Sequence, residues 1–145
     1  MTESTKAPDF TMPASNGRTV SLAGQRGKPF VLYFYPKADT PGCTREACAF
    51  EESLPDFKDI AVIGVSPDAM PAIEKFAKKY TLTFPLAADP DHKTAEAFGV
   101  WVEKMNYGKT YMGTARTTFV IDEQGIILDI ISKVDTKNHT EQILS

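Results

Sequence analysis

Apolar and polar positions divide the chain into short runs separated by turn-forming residues. Phe30 to Tyr35 is apolar throughout, rich in β-branched and aromatic side chains, and bounded by Pro29 and Pro36. A run apolar on both faces predicts a central strand covered on both sides. Ile60 to Val65 repeats the pattern and predicts a second buried strand. Between them the period changes. From Gly42 onward Cys43, Ala47, Phe50 and Leu54 recur at helical spacing, and Pro55 should end or kink that helix. Ile73, Phe76, Ala77 and Tyr80 make a second amphipathic helix, with Lys75, Lys78 and Lys79 on its wet side and Ser66-Pro67-Asp68 as the turn that caps it.

The flanking segments are shorter. The first nine residues read as a tail, and Asp9 to Pro13 as extended chain. Asn16-Gly17 is a turn dipeptide ahead of an alternating strand at Thr19 to Leu22, and Gly24 to Pro29 is a surface loop. Phe84 to Ala87 predicts a short strand, Thr94 to Phe98 a short helix, and Gly99 to Gly113 a loop or ribbon. Thr117 to Ile121 and Ile126 to Ile131 are strands joined by the turn Asp122 to Gly125, and Asn138 to Leu144 is a closing helix. The order β-β-α-β-α-β-α, then a ββ hairpin and a helix, predicts an α/β fold. Its centre is a mixed sheet with helices on both faces, and residues 1–145 form a single domain.

Composition narrows the function. The chain has 145 residues, 42% hydrophobic and 24% charged, with a net charge of −3. This is globular composition, and with no Lys/Arg run longer than two residues there is no footprint for nucleic acid or an anionic membrane. The longest apolar run is far short of the ~20 residues of a membrane span. The start, Met1 to Lys6, is polar and has no apolar signal-peptide segment, so a cytoplasmic location is expected.

The two cysteines, Cys43 and Cys48, are the first chemical clue. In a reducing compartment a close pair is more often catalytic or redox-sensing than a staple, although two small buried hydrophobes would read the same. Cys43 falls at the predicted start of a helix, where unpaired N–H groups and the dipole favour an anion such as a thiolate. A redox cysteine placed after the first central strand is the thioredoxin-like layout. In a wound helix, residues five apart lie ~8.6 Å apart at Cα, whereas a disulfide needs about 4.4–6.8 Å. The pair cannot bridge until about a turn unwinds. That suits a cycle in which Cys43 becomes a sulfenic acid and Cys48 resolves it. A zinc site is poorly supported, since His92 and His139 are far from both thiols in sequence. Asp89-Pro90-Asp91-His92 reads as a turn and helix cap.

Pro36-Lys37-Ala38-Asp39-Thr40-Pro41-Gly42-Cys43 matches the P-x-x-x-T-x-x-C signature of peroxiredoxins. Its continuation to Cys48 resembles the bacterioferritin comigratory protein branch, also called peroxiredoxin Q. Supporting stretches include Ala7-Pro8-Asp9-Phe10, Gly64 to Asp68, Phe84-Pro85-Leu86 and Arg116 to Asp122. The resemblance implies a thioredoxin-like sandwich and a thiol peroxidase acting on hydrogen peroxide and alkyl hydroperoxides without a cofactor or metal. It casts Cys43 as the peroxidatic thiolate and Cys48 as the resolving cysteine of an intramolecular disulfide. Thr40 becomes the hydroxyl that bonds peroxide and thiolate, Pro36 the shield against water, and Arg116 the cation that polarises the peroxide. Glu46 becomes the arginine's partner. The implied reductant is thioredoxin or glutaredoxin, and the implied state a monomer. A thiol–disulfide oxidoreductase is the rival enzyme, disfavoured by the lack of Cys-x-x-Cys and the presence of Thr40. A binding or holdase module is the non-enzymatic rival. Trp101, Tyr107 and Tyr111 could wall the pocket, but each reads more readily as loop packing.

Overall fold

The computed structural model describes residues 4–57 and 60–132. The core of the fold is β3 (Phe30–Phe34), whose five residues are all buried. It pairs in parallel with β4 (Ala61–Ser66), and β4 in parallel with β5 (Leu86–Ala88). On its other side β3 pairs antiparallel with β8 (Thr117–Ile121), and β8 with β9 (Ile127–Ile131). Beyond β5 lie β1 (Thr11–Ala14) and β2 (Arg18–Ser21), completing a seven-stranded mixed sheet of order β2-β1-β5-β4-β3-β8-β9. The β1–β2 turn holds Asn16 and Gly17 at φ 62° and 70°, the left-handed values that an Asn-Gly hairpin turn calls for.

The period-2 alternation of β3 sends its side chains into two cores. Val31, Tyr33 and Tyr35 face α1 (Pro41–Ser53) and α2 (Met70–Lys79), with Ala47, Phe50, Ile73 and Phe76 packed against them. Phe30, Leu32 and Phe34 face the opposite side, where Phe10, Phe98, Phe119 and Ala95 of α3 (Lys93–Ala97) close the layer. Helices therefore cover both faces, as the element order predicts. Pro55 follows α1 in a short 3-10 turn, so it ends the helix rather than bending it.

The structure revises several expectations. Residues 4–7 are not a free tail: the Ser4 and Ala7 amides donate to the Ile127 and Gly125 carbonyls, tying the chain start to the β8–β9 hairpin. Of the two readings of Gly99 to Gly113, loop or ribbon, the structure shows the ribbon, antiparallel and separate from the main sheet, with β6 (Trp101–Asn106) and β7 (Lys109–Thr114). Asp68 does not cap α2, whose first turn has no side-chain cap. Its carboxylate instead accepts from Ser66 Oγ at 2.9 Å and from the Ala38 amide at 2.7 Å. Asp89 does cap α3, accepting from the Thr94 and Ala95 amides. The expected helix at Asn138 to Leu144 lies outside the described residues. Among the described residues no helix is long and apolar enough to cross a membrane.

Candidate active site

The site lies where the chain leaves the C-terminal end of β3. The register Phe34↔Thr117 places Arg116, one residue ahead of β8, beside the loop that carries the chain from Tyr35 into α1. Pro36 begins that loop and is half-buried. Thr40 holds the N-cap position in extended conformation, and Pro41 opens the helix, where its missing N–H costs no intrahelical bond. Cys43 is the third helical residue, so its amide is one of those left without an intrahelical partner.

Cys43 is 1% exposed, and Glu46, one turn later on the same inward face, is 0% exposed. Arg116 reaches both. Its Nη2 donates to Cys43 Sγ at 3.1 Å and its Nη1 to Glu46 Oε1 at 2.6 Å. A guanidinium presents a planar fork of donors, so one side chain can serve a thiol and a carboxylate together. The ion pair is shielded, with 22% of the Arg116 side chain exposed and none of Glu46. Burial pushes the Glu46 carboxyl up to about 7, against the pull of Arg116. Burial also works against the Arg116 charge, but Glu46 and then Cys43 outweigh it and hold the guanidinium above its ordinary range.

Thr40, at the N-cap of α1, does not bond the sulfur. Its hydroxyl donates to the Lys37 carbonyl at 2.9 Å. Cys48 lies half-buried further along the unbroken α1, and both thiols are free. Burial, then Glu52 and Glu51, hold the Cys48 thiol above its ordinary value.

Sequence reasoning missed three contributors. Asp68 fastens the active-site loop through Ala38, as described above. Asp39, itself in the left-handed region at φ 59°, accepts from Lys79 Nζ and Tyr80 Oη, each at 2.9 Å. Lys104 on β6 is half-buried and is drawn below its ordinary range by burial and then by Arg116, while Cys43 opposes the shift. Only the positive φ had a local signal, since Asp tolerates that conformation. Ala38 lies 30 residues from Asp68, and the partners of Asp39 lie 40 and 41 residues from it. Of the ribbon aromatics, Trp101 stacks on His92 at 4.1 Å and is loop packing, while Tyr107 is 97% exposed.

A model of the AhpC/TSA family matches residues 4–130. The chain belongs to that family, the peroxiredoxins. Peroxiredoxin Bcp of Bacillus subtilis strain 168 is 48% identical over 141 residues, covering 96% of this chain and 90% of that protein. Solved structures agree. The bacterioferritin comigratory protein of Xanthomonas campestris superposes with a TM-score of 0.88 at 35% identity, over 93% of this chain and 87% of that one. The peroxidoxin BcpB of Mycobacterium tuberculosis does so with a TM-score of 0.87 at 35% identity, over 99% and 94%. The fold is thus the thioredoxin-like sandwich of the peroxiredoxins, and the chain is a thiol peroxidase of the bacterioferritin comigratory, or peroxiredoxin Q, branch.

Proposed function

We propose that Cys43 is the nucleophile of this peroxidase and that Arg116, Glu46, Thr40 and Pro36 build its site. The observation that carries the reading is the Arg116 fork, 3.1 Å from Cys43 Sγ and held from behind by Glu46. The Cys43 thiolate attacks the outer oxygen of a hydroperoxide. An S–O bond forms as the O–O bond breaks, and the departing hydroxide or alkoxide takes up a proton. Cys43 is left as a sulfenic acid. Charge developing on the leaving oxygen meets a cation and helix amides that are already in place, so little reorganisation is needed. Thr40 gives up its bond to Lys37 to donate to the peroxide, and Pro36 keeps water from the sulfur.

Cys48 then attacks the sulfenic sulfur. An S–S bond forms, water leaves, and an external dithiol of the thioredoxin or glutaredoxin type restores both thiols with two electrons and two protons. Hydrogen peroxide and alkyl hydroperoxides are the substrates. The alkyl peroxide reduction described for the Xanthomonas relative supports the second class.

The test is intact mass and thiol counting before and after one equivalent of hydrogen peroxide. The wild type should lose two hydrogens and both thiols, and Cys48→Ser should hold a trappable sulfenic acid at Cys43. Arg116→Met should slow the first step by ~10²–10³-fold. No reaction of the wild type within seconds would overturn the reading.

A further inference from the structure

Helix α1 must stay wound for the peroxide step and unwind for the disulfide, since its geometry keeps positions 43 and 48 too far apart at Cα. Two carboxylates that touch no reacting atom tie the two ends of this helical region to one short segment. At the leading end Asp39 accepts from Lys79 Nζ and Tyr80 Oη, both at 2.9 Å. At the trailing end Glu51, three residues past Cys48, accepts from the Thr83 amide at 2.6 Å and the Thr83 hydroxyl at 2.7 Å. All the donors fall within residues 79–83, at the end of α2 and the turn after it. That segment is firmly seated. Leu82 and Phe84 on either side of Thr83 are buried, and the Thr83 carbonyl is held by Arg18 Nη1 at 3.1 Å.

We propose that Lys79, Tyr80 and Thr83 form a clasp that keeps α1 wound, as positioning residues that set the rate at which Cys48 reaches the oxidised Cys43. The inference rests on the peroxidase cycle given above. Melting the helix through Cys48 leaves only Ala49 to Ser53, about one turn, which cannot persist without tertiary support. Phe50 packing and the Glu51–Thr83 bonds hold it while α1 is wound, and they are given up when the helix melts. Exposed ion pairs count for little singly, but here each carboxylate accepts two hydrogen bonds and both ends must be released. While the clasp holds, the sulfenic acid persists, and a second peroxide molecule can carry it to sulfinic acid.

The experiment is rapid quench with mass spectrometry. It follows sulfenic acid appearing at Cys43 and then its conversion to the disulfide or the sulfinic acid. The variants remove the clasp's side-chain donors, on the side away from the site, and leave the Thr83 amide bond in place: Lys79→Met, Tyr80→Phe and Thr83→Val, singly and combined. The combined variant should form the disulfide roughly 5–20-fold faster, as loss of several modest hydrogen bonds predicts. Sulfenic acid formation should stay within about twofold of wild type, and less sulfinic acid should accumulate at high peroxide. Thr83→Ser, which restores the hydroxyl, should return the rate toward wild type in the background of the other two changes. A disulfide step that is unchanged or slower overturns the proposal, as does a parallel fall in both steps. A wild type that reacts with peroxide but never forms the disulfide overturns the underlying cycle instead.

Discussion

Glu46 is a carboxyl with no exposed surface, paired with the arginine that also donates to Cys43 Sγ. Burial opposes its ionisation more strongly than Arg116 favours it, so its folded value of about 7 lies above the ordinary 4.5. The linkage has a definite sign. A raised carboxyl binds more protons in the folded state, so its contribution to stability is fully present below about 4.5 and is lost as pH rises through about 7. Denaturant melts at pH 4 and pH 8 should show the wild type losing up to about 3 kcal/mol relative to Glu46→Gln. A difference that instead rises with pH would mean that Arg116 holds the carboxylate ionised throughout, and a flat one that its value is unshifted. At this scale the motif and the Arg-Thr-Thr-Phe stretch pointed to Cys43, Thr40, Pro36 and Arg116; the fold brings Cys43 and Arg116 into contact, while the Thr40 hydroxyl turns to Lys37. Whether Glu46 faced solvent or protein could not be read from helix periodicity, because a carboxylate on the inward stripe goes against the usual pattern. Only an arginine arriving from another strand makes that position tolerable.

Among the elements, β4 shows how closely the second core is packed. Gly64 pairs with Tyr33 across the parallel ladder. A Cβ there would come within 2.8 Å of both Tyr33 Cζ and Leu86 Cδ2. Gly64→Ala should therefore destabilise the fold by about 1–3 kcal/mol, the usual cost of overpacking, despite the alanine's better strand entropy. Equilibrium unfolding measures this directly, and a neutral or stabilising effect would show that Tyr33 can move aside freely. The strands and the two long helices were legible because their hydrophobic periods are clean. The ribbon β6–β7 was legible only as one of two alternatives, loop or ribbon, because its side chains are mixed and Met105, Tyr107, Tyr111 and Met112 are exposed. Its pairing rests on backbone hydrogen bonds, which leave little trace in the pattern of side chains.

For the molecule as a whole, oxidation and stability should be coupled. Closing a disulfide between Cys43 and Cys48 constrains a very short loop, worth about 2 kcal/mol of unfolded-chain entropy. Unwinding α1 loosens Phe50, which stacks on Tyr33 at 4.6 Å and whose full burial is worth about 3–5 kcal/mol. The loss exceeds the gain, so the oxidised protein should melt several degrees below the reduced one, and a dithiol should restore the difference. Calorimetry of both forms checks this. A higher melting temperature for the oxidised form would mean that the disulfide closes with the core intact.

Three things followed from the chain's own order of residues: the two-faced central strands, the helix whose first turn carries Cys43, and the impossibility of bridging Cys43 to Cys48 while that helix is wound. Each depends on periods and spacings of a few residues, which covalent geometry enforces locally. The tertiary structure alone decided which charges meet. Arg116 bridges Cys43 and Glu46, Asp68 holds Ala38, and Asp39 and Glu51 reach the end of α2. Those contacts join residues 30 to 73 positions apart. They exist because the register of β3 against β8 and the packing of two helices on one sheet face bring distant side chains within hydrogen-bond reach.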